Sequence, residues 1–559
     1  MSTARFDKTT WRRLKNLVLP IFFSEIRLQM FGLLALLALF ALAIAGINVV
    51  MSYLMSYVMT ALSVRDENRF LSELGRYLLA IGCAVPVAVL YRYTEERFAL
   101  KWRRWLSIYF LRRYLSNRAY YSMLSYAGVD NPDQRLEEDI RSFSVQCVSF
   151  SLIIFNSLIA LIAFFGILWT IDPWLPIAAI AYAGIGSLIT YLLGRPLIHL
   201  NMLQLMKEAN YRYKLINLRE NAESIAFYGS EKKELLRTRQ RLRDALKNLL
   251  SIINWNRNLG FFTHSYNYLL IIVPTVIVAP RYMSGEVEFG VVTQAQGAFG
   301  QVLGALSLIV THFAGISAFA AVISRLGTFS EAIEELSKRG AGDEIQFQDG
   351  DSIELNKVTI YTPKRDQLLL KEVSVKIDHG GLLITGPSGC GKSSILRTFA
   401  GIWSSGEGTV IRPNPQESLF LPQKPYASAG TLRSQLQYSL GNCFPTTEEL
   451  WQMIRFVGLA ESAKRAGGLD IERDWPRLLS TGELQRLAWA RLFLKKPKFA
   501  FLDEATTAID LHAEKKFYEK LCSESVFWVS VGVRQSLYEF HGTVIELTGD
   551  GEWRLICPT

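Results

Sequence analysis

Six stretches of this chain are apolar for about the thickness of a bilayer, and they constrain its fold more than any other feature. They are Leu28–Met59, Leu74–Tyr91, Val148–Thr170, Leu175–Leu193, Leu259–Ala279 and Phe289–Ile323. A helix needs ~20 apolar residues to cross the hydrocarbon core, and each run approaches or exceeds that length. Pro86 interrupts the second, and the sixth is rich in small residues, so buried helices of a soluble core remain an alternative for these two. The other four are hard to house in a soluble protein. Half of the 559 residues are apolar, and the excess lies in the first three hundred or so. The expectation is an α-helical polytopic membrane domain of six transmembrane helices.

The charge pattern orients those spans. The net charge is +10. Nucleic-acid binding could account for such a surplus, but Lys and Arg concentrate between the apolar runs, which fits membrane topology better, so no nucleic-acid partner is expected. The segments Arg92–Arg141 and Arg195–Arg257 are long and crowded with basic residues, whereas the connections near Arg65, Asp172 and Glu286 are short and carry few. By the positive-inside rule both long loops and both termini face the cytoplasm. Before the first span, Trp11, Leu14, Leu17, Val18, Ile21 and Phe22 recur at a helical period with Arg12, Arg13 and Lys15 between them. That pattern predicts a basic amphipathic helix on the membrane surface, with a transit peptide as the competing reading. The first apolar run is too long and begins too late for a cleavable signal peptide of the usual build. The six cysteines are scattered without metal-like spacing and read as reduced thiols.

The C-terminal third carries the chemistry. Leu382-Leu383-Ile384-Thr385 reads as a strand and leads into Gly386-Pro387-Ser388-Gly389-Cys390-Gly391-Lys392-Ser393, after which a helical pattern begins at Ser394. Strand, G-x-x-x-x-G-K-S and helix in that order predict a phosphate-binding loop. Its glycines let backbone N–H groups curl around phosphate, Lys392 supplies a point charge, and Ser393 can hold Mg²⁺. Further on, Phe499-Ala500-Phe501-Leu502-Asp503-Glu504 is an apolar strand ending in two carboxylates. Asp503 can reach the Mg²⁺ shell, and Glu504 can orient an attacking water. Between them stands Leu479-Ser480-Thr481-Gly482-Glu483-Leu484-Gln485-Arg486, where Ser480 and Gly482 open a helix whose N-terminus can receive a phosphate.

Placed between such a loop and such a strand end, this octet resembles the signature sequence of ATP-binding cassette (ABC) proteins. Gln423, in Leu419–Tyr426, matches the family's Q-loop and adds a third Mg²⁺ ligand to Ser393 and Asp503. Thr507-Ala508-Ile509-Asp510 is similar to its D-loop. The resemblance implies an α/β P-loop nucleotide-binding domain with ATP and Mg²⁺ as ligands. Residues 386–394, Gln423, Ser480 and Gly482 are then at the nucleotide, Glu504 is catalytic, and Tyr361 is the candidate to stack on adenine. The domain boundaries so read are 1–27 (amphipathic segment), 28–330 (membrane domain), 331–350 (linker) and 351–559 (ATP-binding domain).

The likeness narrows over the patches Asn131–Ile140 and Asn221–Tyr228, Leu383–Arg397, Leu421–Tyr426 and Gly430–Arg433. From about residue 90 onward the chain resembles the subfamily D branch of ABC half-transporters, with peroxisomal fatty-acyl and bacterial members and a membrane domain akin to SbmA/BacA-type transporters. In that branch the two patches belong to intracellular loops that couple the membrane helices to the ATPase. One P-loop and one signature occur in the chain, so the resemblance implies a dimer, most simply a homodimer, because each nucleotide is shared between two cassettes. ATP-driven transport of an amphipathic or lipid-like cargo follows, fatty-acyl, peptide or cobalamin-like. A bacterial plasma membrane, or an organellar one as the alternative, is the implied location. One position departs from the pattern: relatives read Ser-Val-Gly-His-Arg where this chain has Ser530-Val531-Gly532-Val533-Arg534. Valine offers the γ-phosphate no hydrogen bond, which leaves a hydrolysis-impaired nucleotide sensor or regulatory half as the second reading.

Overall fold

The computed structural model describes residues 8–123, 131–308, 312–338, 345–363, 365–377, 381–441, 444–524, 526–549 and 551–556. Its residues form two compact units, Met1–Arg113 with Asn131–Glu331, and Tyr114–Asp130 with Ala332–Thr559.

The first unit is helical. After α1 (Lys8–Phe22) come α2 (Arg27–Val64), α3 (Glu67–Leu115), α4 (Ile140–Ile171), α5 (Trp174–Glu220), α6 (Ala222–Tyr228), α7 (Glu231–Met283), α8 (Phe289–Leu306) and α9 (Phe313–Lys338). Among the described residues, five helices are long and apolar enough to cross a membrane, those that contain the first five predicted spans. Their apolar windows are only 6% to 22% buried, so these side chains need a hydrocarbon solvent. The sixth predicted span differs. Phe289–Ile323 begins as the 18-residue α8, which ends at Leu306 with Ser307 as its C-cap, and resumes as α9, with 309–311 outside the described residues. The run Gly300, Gly304 and Ser307 supplies little helix propensity there.

The three short connections gather at one end of this unit. Arg281 pairs with Asp172 (3.5 Å) and with Glu286 (3.0 Å), and Thr60 Oγ1 accepts from the backbone N–H of Gly290 (3.1 Å). α1 is amphipathic as predicted, but it has a protein-facing side. Leu17 and Ile21 are buried, and Arg13 makes a two-pronged ion pair with Glu331 of α9 through Nε (3.0 Å) and Nη2 (2.7 Å). Trp11, Arg12 and Lys15 stay exposed. Asp139, 2% exposed, is compensated by Arg135 (3.0 Å) and by a bidentate Arg325, as a buried charge must be. The stretch read as a linker is α9 as far as Lys338 and strand from Gln346. Its middle, 339–344, lies outside the described residues.

The second unit is α/β. Its strands are β1 (Gln346–Asp349), β2 (Ile353–Tyr361), β3 (Leu368–Ile377), β4 (Gly381–Thr385), β5 (Gly406–Arg412), β6 (Ser418–Leu421), β7 (Ala429–Thr431), β8 (Glu472–Asp474), β9 (Phe499–Asp503), β10 (Phe527–Val531), β11 (Thr543–Leu547) and β12 (Trp553–Ile556). Six form a sheet in the order β12-β11-β4-β10-β9-β6, parallel except for β12. β1, β5, β2 and β3 form a second sheet. The inner strands of the large sheet read as unbroken apolar runs, as strands covered on both faces do: β4 is buried at all five positions and β9 at its first four. Three helices matter for the site, α10 (Lys392–Phe399), α11 (Thr481–Lys495) and α12 (Leu511–Ser523).

Candidate nucleotide site

Strand register builds the site. Val531 of β10 lies level with Ile384 of β4 and with Asp503 of β9, and Leu421 of β6 lies level with Leu502. The residues that follow all four strands therefore emerge at one carboxyl edge of the sheet. Gly386 follows β4, Gln423 follows β6, Glu504 follows β9 and Val533 follows β10. Ligands of open α/β sheets bind at such an edge.

The loop after β4 has the conformation its glycines allow. Gly386, Gly389 and Gly391 have φ of 140°, 85° and 98°. A Cβ on Gly386 would stand 2.4 Å from Leu547 O, so no other residue fits there. Pro387, Ser388 and Gly389 are exposed, while Ser394 is buried and its N–H donates to Gly391 O at 3.0 Å. No side chain caps the N-terminus of α10, which leaves its first N–H groups to a phosphate. Lys392, 7% exposed, donates from Nζ to Gly386 O (2.9 Å) and Pro387 O (2.7 Å). At the other end of α10, Arg118 donates to Ala400 O (2.8 Å), a cation at a helix C-terminus. The sequence reading gave Arg118 no role.

Cys390 lies in this loop by address but not by side chain. Its thiol is 6% exposed and belongs to the apolar core under the sheet. The alternation of the loop turns Cys390 inward, so thiol-specific reagents should label it slowly whether or not nucleotide is bound.

Ser393 Oγ donates to Asp503 Oδ1 at 2.9 Å, so two hard oxygen atoms converge at the loop. Burial pushes the Asp503 carboxyl up from the ordinary range, opposed by the Ser393 bond and by the charges of Arg397 and Lys392. These oxygens suit Mg²⁺. The third candidate ligand is placed differently: Gln423 Nε2 donates to Glu504 Oε2 at 2.7 Å, which leaves its Oε1 as the atom that could face a cation. Glu504 itself sits at φ 47°, with its N–H on Val531 O (3.0 Å).

Tyr361 ends β2 opposite Leu368, and the next residue, Leu369, packs where a Cβ on Gly391 would reach it at 3.3 Å. Arg365 lies over the Tyr361 ring at 5.8 Å, a cation on one face of the aromatic. Ser480 caps α11 in a reciprocal arrangement with Glu483: Glu483 N–H donates to Ser480 Oγ (3.3 Å) and Ser480 N–H to Glu483 Oε2 (2.8 Å). A Cβ on Gly482 would meet Ala508 O at 2.5 Å.

Val533 is 60% exposed at the sheet edge. The nearby His541 offers no replacement for a histidine there. It is 3% exposed, and its Nδ1 and Nε2 face Leu537 O (2.6 Å) and Ser530 Oγ (2.8 Å). Burial drives its pKa down to about 4, so it stays neutral.

A phosphate loop on a parallel sheet, with carboxylates level with it and a set of long apolar helices upstream, defines a membrane-bound P-loop ATPase. Comparison with known proteins makes this particular. The family "ABC transporter transmembrane region 2" matches residues 18–283, and "ABC transporter" matches residues 370–507. The chain is 37% identical to ABC transporter D family member 2, chloroplastic, of Arabidopsis thaliana, over 98% of its own length and 88% of that protein's. It is 31% identical to the human lysosomal cobalamin transporter, over 83% of each chain. A bacterial Atm1-family ABC exporter solved with ATP bound has the same fold, with a TM-score of 0.72 over 95% of both chains at 18% identity. The chain belongs to the D family of ABC half-transporters. It is an integral membrane protein that binds ATP, dimerises with a second half-transporter, and couples ATP hydrolysis to transmembrane transport.

Proposed function

We propose that two copies of this chain form a homodimer that moves an amphipathic or lipid-like molecule across a bacterial plasma membrane, with an organellar membrane as the alternative. The observation that carries the site assignment is the strand register, which aligns the phosphate loop, Gln423, Asp503 and Glu504 along one sheet edge. In this reading residues 386–394 bind the phosphates and Tyr361 stacks on adenine. Ser480 and Gly482 of the partner close the site. Ser393, Asp503 and Gln423 would hold Mg²⁺, which neutralises charge between the phosphates. Glu504 takes up the water's proton or orients it, and Lys392 offsets the charge that develops on the leaving phosphate. Residues 1–27, 28–330, 331–350 and 351–559 are the corresponding working segments.

The cargo class rests on two supports. The spans predicted from sequence contain no cluster of charged residues, which disfavours an ion. One relative is a lysosomal cobalamin transporter, and the branch that the sequence resembles includes fatty-acyl exporters. Reconstitution in proteoliposomes tests this directly. ATPase activity should rise with a fatty-acyl thioester, a hydrophobic peptide or cobalamin, and ATP-dependent movement of the same compound should follow. Stimulation by inorganic ions alone would overturn the cargo class.

Val533 favours a second reading, a nucleotide-sensing half with little turnover. A positioned donor at that place is worth on the order of 10²–10³ in rate. Because the side chain is 60% exposed, an imidazole has room. Val533→His should raise ATP turnover about tenfold or more, while Val533→Ala leaves it near the parent value. An unchanged rate in Val533→His, together with an ordinary parent rate, would show that another group makes the contact and would remove the sensing alternative.

A further inference from the structure

One stripe of α11 grips the segment that follows the catalytic strand. Gly482, Gln485, Arg486 and Trp489 stand at i, i+3, i+4 and i+7, a single helical face, and all four meet residues 504–510. Gly482 lets the helix lie against Ala508 O. Arg486 Nη2 donates to Asp510 Oδ2 (2.6 Å), and Trp489 Nε1 donates to Ala505 O (3.1 Å). From the far side, Arg534 donates to Thr507 O (3.0 Å) and Ile509 O (3.1 Å).

Gln485 is the centre of this grip. It is 1% exposed, and its amide is used on both sides. Oε1 accepts from the Ala508 N–H at 2.9 Å. Nε2 donates to Thr507 Oγ1 (3.1 Å), to the Glu504 carbonyl (3.3 Å) and to the Gln423 carbonyl (3.4 Å). One buried side chain thus ties together the backbones that carry the two side chains joined by the Gln423–Glu504 hydrogen bond. Glu504 holds a left-handed φ of 47°, a conformation that persists only where surroundings enforce it.

We propose that Gln485 is a positioning residue for ATP hydrolysis. Through the carbonyls of Glu504 and Gln423 it fixes the carboxylate and the amide that must meet water and cation. It also joins them rigidly to the helix whose N-terminus faces the partner's nucleotide. The inference rests on the site assignment proposed above. Hydrophobic replacement keeps the volume but leaves a buried N–H and carbonyls without their partner. Replacement by glutamate keeps the shape and the acceptor, yet sets a carboxylate against two carbonyl oxygens.

The test uses the full-length dimer in lipid, a non-hydrolysable ATP analogue with Mg²⁺ as the binding probe, and steady-state ATPase. Gln485→Met and Gln485→Glu should each lower turnover by about 10²-fold, since small misplacements of reacting groups cost that much. Analogue affinity should stay within about twofold, because the phosphate loop is untouched. Combined with Glu504→Gln, either substitution should cost little more than Glu504→Gln alone, because both act on one group. A purely structural role would instead add its cost in full. Parent-like turnover in either variant overturns the proposal, and so does loss of analogue binding in both, which would mean that the residue serves folding. Lys392→Ala on the same preparation separates the two levels: ordinary hydrolysis in that variant would overturn the site assignment itself, whatever Gln485 does.

Discussion

Glu504→Gln is expected to bind ATP, close the dimer and then stall, with turnover down by ~10²–10⁴, the range for loss of a general base. The substitution isolates charge from shape. Gln423 Nε2 donates to Glu504 Oε2 at 2.7 Å, and a glutamine at 504 can still offer an oxygen there. The backbone bond from residue 504 N–H to Val531 O does not involve the side chain, so the φ of 47° is kept. What disappears is the negative charge that polarises water. Nucleotide retained after rapid removal of free ATP should therefore rise well above the parent level. Glu504→Ala makes the contrast, because it also takes away the acceptor of Gln423 and lets that side chain move. If Glu504→Gln releases nucleotide as fast as the parent, Glu504 does not orient the water.

The sequence revealed the site at the level of elements and missed it at the level of side-chain direction. Apolar runs at β4 and β9 identified strands, and the structure makes both of them buried and parallel. The motif order implied that their ends meet, and the register of Ile384, Val531 and Asp503 brings them level. Residue type alone could not say where a side chain points once the chain leaves the strand. Cys390 was read as part of the phosphate loop, yet it turns into the core. Gln423 was read with Ser393 and Asp503, and its second bond, from Nε2 to Glu504, had no signal in the sequence. Gln485 lies within the signature octet, but its partners are 19 to 62 positions away, and no local pattern reports such contacts. In the membrane unit, hydropathy found the spans because length and apolarity decide them. It did not find the interruption after Leu306, since small residues are compatible with either a continuous or a broken helix in lipid.

Lys392→Ala should abolish ATP-dependent transport and lower hydrolysis by at least ~10²–10³, the loss expected when a preorganised charge aimed at the transition state is removed. The geometry shows why its effect is not confined to catalysis. The ammonium bonds the Gly386 and Pro387 carbonyls at 2.9 and 2.7 Å, so it also fastens the loop to itself. Truncation leaves those carbonyls without a charged donor, a change worth ~1.5–3 kcal/mol per bond in a buried setting and less beside the exposed Pro387. The cost should fall on the loop and not on the fold, because the neighbouring core side chains Ile395, Leu396 and Phe399 remain packed against the sheet. The variant should accordingly reach the membrane, purify as a dimer and melt close to the parent, while its affinity for Mg-ATP falls. Lys392→Arg distinguishes charge from fit: a planar guanidinium keeps the charge but cannot place three donors around one point, so binding should recover more than turnover. A Lys392→Ala protein that transports at the parent rate would mean that this loop does not receive the phosphates, and the roles drawn from it would fall together.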